Sequence, residues 1–65
     1  MKTTKLKALI MEAGMTQQDV ARHLGITPKT FYAKMKKGVF GTDEVTEMID
    51  LLKIQNPAEI FLESE

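Results

Sequence analysis

Cysteine is absent from the 65 residues, and His23 is the only histidine. Without thiols the chain forms no disulfide and no thiolate metal site, and one histidine cannot assemble an ordinary structural zinc site. We therefore expect no metal and no cofactor. Stability must come from the packing of the apolar residues, which make up 43 % of the sequence.

Long hydrophobic runs are also missing. The apolar stretch that begins at Leu6 is interrupted by Lys7, and it is too short to span a bilayer or to serve as a secretory signal. We expect a cytoplasmic chain with no membrane partner that forms one domain, residues 1–65, with one thin core. No nucleophile–base pair or room for a deep cavity is evident, so we expect no catalytic residue, no small-molecule ligand and no enzymatic activity.

The charges balance overall but are unevenly distributed. Residues 1–38 carry eight Lys or Arg against two acids, a balance of +6, whereas residues 39–65 carry one Lys against seven acids, a balance of −6. Binding to phosphates depends on the local field, so such a chain can present one basic face. The alternative interpretation is a surface of unevenly placed, solvated charges.

The sequence predicts an all-α fold, a compact bundle of five short helices, because glycine or proline separates segments with helical periodicity. Thr16, with Asp19 three positions later, is typical of a capping box, and Thr27 and Asn56 each precede a proline at the first helical position. Three apolar stripes are expected in the core: Leu6, Leu9, Ile10, Ala13; Val20, Ala21, Leu24; Val45, Met48, Ile49, Leu52. Four apolar residues are expected to fill the gaps between helices: Ile26, Val39, Phe40 and Ile54.

The second and third predicted helices are separated only by Gly25-Ile26-Thr27. A connection this short makes the helices cross steeply; Gly25 supplies the left-handed conformation that ends the second helix, and Ala21 is small enough for close approach. This is the geometry of a helix-turn-helix over about residues 16–37, whose second helix enters the major groove of DNA. Double-stranded DNA is therefore the expected partner.

The spacing of apolar residues in the third predicted helix indicates which side faces the core and which side is free to contact DNA. Phe31 and Met35 lie one turn apart and point inward, and a step of about 100° per residue places other side chains outward. Those on the opposite side or its flanks are Lys29, Thr30, Tyr32, Ala33, Lys36 and Lys37. Lys29, near the start of the helix, can donate to guanine, and Ala33 can meet a thymine methyl. Tyr32 can touch a base or a phosphate, and the later lysines are expected at backbone phosphates.

The pattern Thr16-Gln17-x-x-x-Ala21-x-x-x-Gly25-Ile26-Thr27 resembles the Cro and repressor-type helix-turn-helix proteins of temperate phages. Residues 39–44 and 56–61 are similar to small phage proteins described as Cro repressors. The resemblance implies a lambda-repressor-like domain that binds operator DNA in a bacterial host cell. It further implies that Gln17, with its neighbour Gln18, contacts a phosphate and that Thr27 occupies the matching position at the recognition helix.

Two features depart from these phage relatives. Pro28 stands where many of them carry glutamine or another polar residue, so it offers DNA only van der Waals contact. The loop that follows the recognition helix, residues 39–44, is not basic as it often is in the relatives. Fewer phosphate contacts, and a shallower dependence of affinity on salt, are expected.

Three consecutive apolar residues near the end of the chain, Ile60, Phe61 and Leu62, cannot all be buried by a helix in so small a domain. We expect one or two of them to form a homodimer contact, in solution or only on DNA, which would match the two-fold symmetry of operators. The alternative is that this segment folds over the core of its own chain.

A second hypothesis is a protein-interaction module, as in an antitoxin or an anti-repressor, that uses the acidic C-terminal half. Asp43, Glu44, Glu47 and Asp50 form an acidic run on the fourth predicted helix, which we interpret as a solvated face. A salt titration against random duplex DNA separates the two hypotheses, because the module should show almost no salt-dependent binding.

Overall fold

The computed structural model describes residues 1–63, so the last two residues of the predicted domain lie outside the described part. The described residues form five α-helices and no strand, which confirms the all-α prediction. The helices are α1 (Thr3–Glu12), α2 (Gln17–Leu24), α3 (Pro28–Lys37), α4 (Thr42–Leu52) and α5 (Pro57–Phe61). Within residues 1–63, none of these helices has the length and apolar character needed to cross a bilayer.

One core is built from all five helices. Its buried members are Leu6, Ile10, Val20, Ala21, Phe31, Met35, Met48, Leu52, Ile54 and Ile60. The Phe31 ring is fully buried and packs against the Phe40 ring, with their centroids 5.4 Å apart. The backbone N–H of Lys2 donates to the Ile60 carbonyl at 2.7 Å, which joins the start of the chain to α5.

Two apolar residues predicted for the core are exposed. Ala13 follows the last residue of α1 as its C-cap, so its side chain lies beyond the turns that face the core. Val39 is 65 % exposed, although its backbone N–H donates to the Lys34 carbonyl and so closes α3. Ala13 was wrongly predicted because helix periodicity does not continue past a helix end. Val39 was wrongly predicted because, of the two adjacent apolar residues in the connection after α3, it is Phe40 that packs against the core.

The helix ends follow the predicted caps in most places. Thr16 and Asp19 form the expected capping box, with the Thr16 N–H donating to the Asp19 carboxylate at 2.9 Å and the Asp19 N–H to the Thr16 hydroxyl at 3.1 Å. The Asn56 side chain does not cap α5; its amide donates to Glu59 at 3.4 Å instead. The cap of α4 is Gly41, whose N–H donates to the Glu44 carboxylate at 2.8 Å.

Candidate nucleic-acid interface

The turn between α2 and α3 fixes the relative position of the two helices. Gly25 has φ 73°, a left-handed conformation that disfavours any residue with a Cβ atom. The N–H groups of Gly25 and Ile26 donate to the Arg22 and Ala21 carbonyls, each at 3.1 Å, which is the Schellman closure of a helix. Ala21 of α2 is fully buried, and α2 packs against α3.

The two faces of α3 differ as its periodicity predicts. Phe31 and Met35 are 0 % and 4 % exposed and hold the helix against the core. Seven of the remaining residues of α3 are exposed: Pro28, Lys29, Thr30, Tyr32, Ala33, Lys36 and Lys37. The structure therefore places every predicted DNA-reading residue of α3 on the accessible surface; their contact with DNA stays a prediction.

The hydroxyl groups of Thr27 and Thr30, at the start of α3, are hydrogen-bonded to each other. The Thr27 hydroxyl accepts from the Thr30 N–H at 3.2 Å and donates to the Thr30 hydroxyl at 2.9 Å. Because the Thr27 proton is used internally, the Thr30 hydroxyl retains its own proton for an outside acceptor. Thr27 is thus the cap of α3, and Thr30 is exposed beside it; contact of either residue with DNA stays a prediction.

Four of the eight Lys and Arg side chains in residues 1–38 form ion pairs with carboxylates. Four pairs are formed: Lys2–Glu63 at 3.1 Å, Lys5–Glu59, Arg22–Asp19 at 3.3 Å and Lys34–Glu44 at 2.6 Å. The other four cations have no carboxylate within 4 Å among residues 1–63: Lys7, Lys29, Lys36 and Lys37. The basic face is therefore narrower than the sequence charge suggests, and it is centred on α3.

Glu44 does not belong to the solvated acidic face predicted for α4. Both of its carboxylate oxygens accept from the Lys34 ammonium, at 2.8 and 2.6 Å, and its side chain is only 14 % exposed. The Lys34 bond lowers the pKa of Glu44 below its ordinary value, and the Gly41 N–H adds to this effect. Lys34 is consequently a structural link between α3 and α4 and is not available to DNA.

The start of α2 is capped by Asp19, and its first two backbone N–H groups have no intrahelical partner. The backbone N–H of Thr16, followed by the Thr16 hydroxyl and the charge of Arg22, lowers the pKa of Asp19, which therefore stays ionised. The N–H groups of Gln17 and Gln18 are the first two of the helix and have no intrahelical acceptor. The Gln17 side chain is half-buried and that of Gln18 is exposed.

An open groove of about 370 Å³ lies where α1, the start of α2 and α3 meet. Its lining consists of Thr3, Lys7, Gln17, Tyr32, Met35 and Lys36. Three of these are predicted DNA contacts, but Lys7 was missed because it lies on α1, outside the helix-turn-helix. No pattern within residues 16–37 points to Lys7; only the packing of α1 brings it to the groove.

The predicted dimer residues differ in their exposure. Ile60 is 4 % exposed and belongs to the core of its own chain, so among the three it is the one that is buried; the dimer contact itself stays a prediction. Phe61 is half-buried against the core, and Leu62 is 83 % exposed. Only Leu62 and part of Phe61 are accessible to a second copy.

Residues 5–38, just over half of the chain, match the family described as bacterial regulatory protein, Fis family. The matched segment runs from α1 to the glycine that ends α3 and contains the whole helix-turn-helix. The comparisons with curated proteins and with solved structures found no match. The chain is therefore a helix-turn-helix, DNA-binding transcription regulator that belongs to the Fis family of bacterial regulatory proteins.

Proposed function

We propose that this regulator is a Cro-like phage repressor that recognises operator DNA by inserting α3 into the major groove. The observation that carries the proposal is the outer face of α3, where Lys29, Ala33 and Lys36 are exposed while Phe31 and Met35 anchor the helix. An exposed helix with its apolar side locked in the core presents its outer side chains to base edges in a fixed register. Occupancy of the operator would block the promoter.

The proposed DNA contacts divide into side chains that contact bases, called readers here, and side chains that contact backbone phosphates, called clamps. Lys29, in the first turn of α3, would donate to guanine O6 and N7, and Ala33, one turn later, would meet a thymine methyl. Lys36 and Lys37, at the far end of α3, suit backbone phosphates, as does Gln17 at the start of α2. Such clamps bind any sequence and set the register in which the readers act.

Binding as a homodimer is part of the proposal. The described chain measures 26 × 23 × 19 Å, whereas the half-sites of a two-fold operator lie about 34–36 Å apart. One copy is therefore too small to occupy two successive major grooves on the same side of the duplex. The exposed Leu62 side chain offers an apolar contact by which two copies would pair in solution or on DNA.

We further propose that residues 1–65 act as one domain in the cytoplasm of a bacterial cell, with DNA as ligand and no catalytic role. The alternative, a protein-interaction module, would use the exposed acidic residues of α4, Asp43, Glu47 and Asp50. Three other acids, Glu44, Glu59 and Glu63, are engaged by lysines of the same chain, which leaves this acidic surface small.

Selection of bound sites from a random duplex library tests the proposal. A Cro-like repressor is expected to return one short sequence, repeated with two-fold symmetry at a spacing of one helical turn. A library in which no sequence is enriched would contradict sequence recognition. If random duplexes also showed no salt-dependent binding, the interaction module would be favoured.

A further inference from the structure

We propose that Lys7 of α1 completes a binding site for one backbone phosphate of DNA, together with Gln17, Tyr32 and Lys36. The site is the groove in which α1, the start of α2 and α3 meet. The inference rests on the proposed function, because the groove lies beside the outer face of α3. It extends the DNA contacts to a helix outside the helix-turn-helix itself.

The donors of this groove match the chemistry of a phosphate. Lys7 and Lys36 bring two positive charges to it, and neither has a carboxylate within 4 Å in the described residues. The Gln17 amide and the Tyr32 hydroxyl add neutral donors. No acidic residue lines the groove, so two like charges converge there without compensation from the protein. A bound anion would supply that compensation.

The start of α2 adds to the attraction. Gln17 is the first residue of α2, and its backbone N–H has no intrahelical acceptor. Gln17 lines the same groove as both lysines, although the Asp19 carboxylate, which accepts from the Thr16 N–H, offsets part of the helix dipole at this end. Side chains from three helices thus line one groove.

The opposite flank of α1 provides a natural comparison. A second groove, lined in part by Lys5, Glu12, Lys53 and Glu59, contains equal numbers of cations and acids and has no preference for an anion. Lys5 forms an ion pair with Glu59 there. Because Lys5 and Lys7 lie about 200° apart around α1, one helix carries a structural lysine on one side and a DNA-directed lysine on the other.

A phosphate held by Lys7 would fix the orientation of α3. Contacts made only by α3 and the start of α2 leave the domain free to tilt about the recognition helix. A contact from α1 adds a third point of attachment, since α1 packs against the other side of the same groove. We therefore expect Lys7 to affect affinity for all sequences and not the choice of base.

The test is the affinity of Lys7→Ala for random duplexes of about 20 base pairs over a range of salt concentrations. Loss of one phosphate contact is expected to make the negative slope of log K against log[salt] shallower by about 0.9. The affinity at 0.1 M salt is expected to fall about tenfold. Lys7→Gln should behave in the same way, and Lys7→Arg should retain the contact. Lys5→Ala is the matched control and should leave the slope unchanged.

A double variant tests whether the residues share one phosphate. If they do, Lys7→Ala should cost less affinity in a Gln17→Ala background than in the wild type. If the double variant lost affinity by the full product of the two single-variant factors, a common site would be contradicted. Unfolding midpoints equal to that of the wild type are expected, because the Lys7 side chain is exposed.

The outcomes separate this proposal from the function on which it rests. If the wild type binds DNA with a salt-dependent affinity but Lys7→Ala matches Lys5→Ala, the phosphate site is wrong and the function stands. If the wild type shows no salt-dependent binding to any duplex, the proposed function itself is wrong.

Discussion

At the scale of single residues, Glu44 connects the recognition helix to the rest of the molecule. It binds Lys34 of α3 through both carboxylate oxygens and accepts from the Gly41 N–H at the start of α4. Through this pair, Lys34 contributes to the position of α3 against α4. One carboxylate thus acts as a helix cap and as an interhelical contact.

Replacement of Glu44 by Gln should lower the free energy of unfolding by about 1 kcal/mol at neutral pH, since the ion pair and part of the cap are lost. The folded-state pKa of Glu44 is lowered, so its stabilisation is present above the ordinary value of 4.5 and is lost as the pH falls through the lower folded-state value. Urea unfolding of the variant at several pH values should show a shallower loss of stability in acid.

Some acid sensitivity should remain in the Glu44→Gln variant, because the pKa of Asp19 is lowered as well. Glu47→Gln, on the exposed side of α4, is the matched control and should leave the acid transition unchanged. Equal acid transitions for the wild type and Glu44→Gln would show that the carboxylate makes no contribution of this kind.

At the scale of elements, α2, the Gly25 turn and α3 form the unit that carries recognition. Ala21 is fully buried, so a larger side chain there has to displace its neighbours in the core. Ala21→Leu should destabilise the protein by about 1–3 kcal/mol and weaken DNA binding. Urea unfolding measures the first effect and duplex affinity the second.

Ala8, exposed on α1, gives the matched comparison for Ala21. Ala8→Leu adds the same side chain at a position with free space and should change stability by less than about 0.5 kcal/mol. If the two leucine variants were equally stable, the close packing of α2 against α3 would not be a constraint on this fold.

These elements are also where the sequence is most informative. Thr16, Gly25 and Thr27 define the ends of α2 and the start of α3 through local chemistry, so their positions follow from residue type and spacing. Phe31 and Met35 then determine which side of α3 faces outward. The accessible α3 surface of the candidate site is therefore predictable from local patterns.

Features that depend on tertiary packing were not predictable in this way. Periodicity cannot show that Glu44 turns from the acidic face of α4 toward Lys34, or that Lys7 shares a groove with α3. It also cannot tell which of several consecutive apolar residues is buried, as with Ile60 and Leu62. Each requires the positions of helices that are distant in sequence.

At the scale of the whole molecule, neutral net charge coexists with one basic surface. Ion pairs neutralise half of the cations of residues 1–38, and the four unpaired ones lie on α3 or, in the case of Lys7, on α1 in the groove shared with α3. If Lys7, Lys36 and Lys37 each neutralise one phosphate, we expect each copy to give a slope of about −3 in log K against log[salt]. That value is shallow compared with strongly basic DNA-binding proteins.

Dimer formation is the second property of the whole molecule that can be tested. Leu62→Glu should reduce the affinity for DNA with two half-sites while leaving the affinity for one half-site unchanged, since it places a charge in an apolar contact. Met11→Glu is the matched control, because Met11 is an exposed apolar residue of α1. Sedimentation with and without DNA shows whether pairing occurs before or during binding.

The dimer contact would be wrong if both glutamate variants bound the two-half-site DNA equally well. The assignment of α3 as the recognition helix would survive that result, because it depends on the Phe31 and Met35 anchors and not on Leu62.

Two variants on two DNAs decide whether α3 reads the base sequence while the start of α2 binds the DNA backbone. Affinities of the wild type, Lys29→Ala and Gln17→Ala should be measured for a selected operator and for a random duplex. We expect Lys29→Ala to lose about 1–3 kcal/mol of preference for the operator. Gln17→Ala should weaken both complexes by the same factor. A Lys29→Ala variant with the full preference of the wild type would contradict the account.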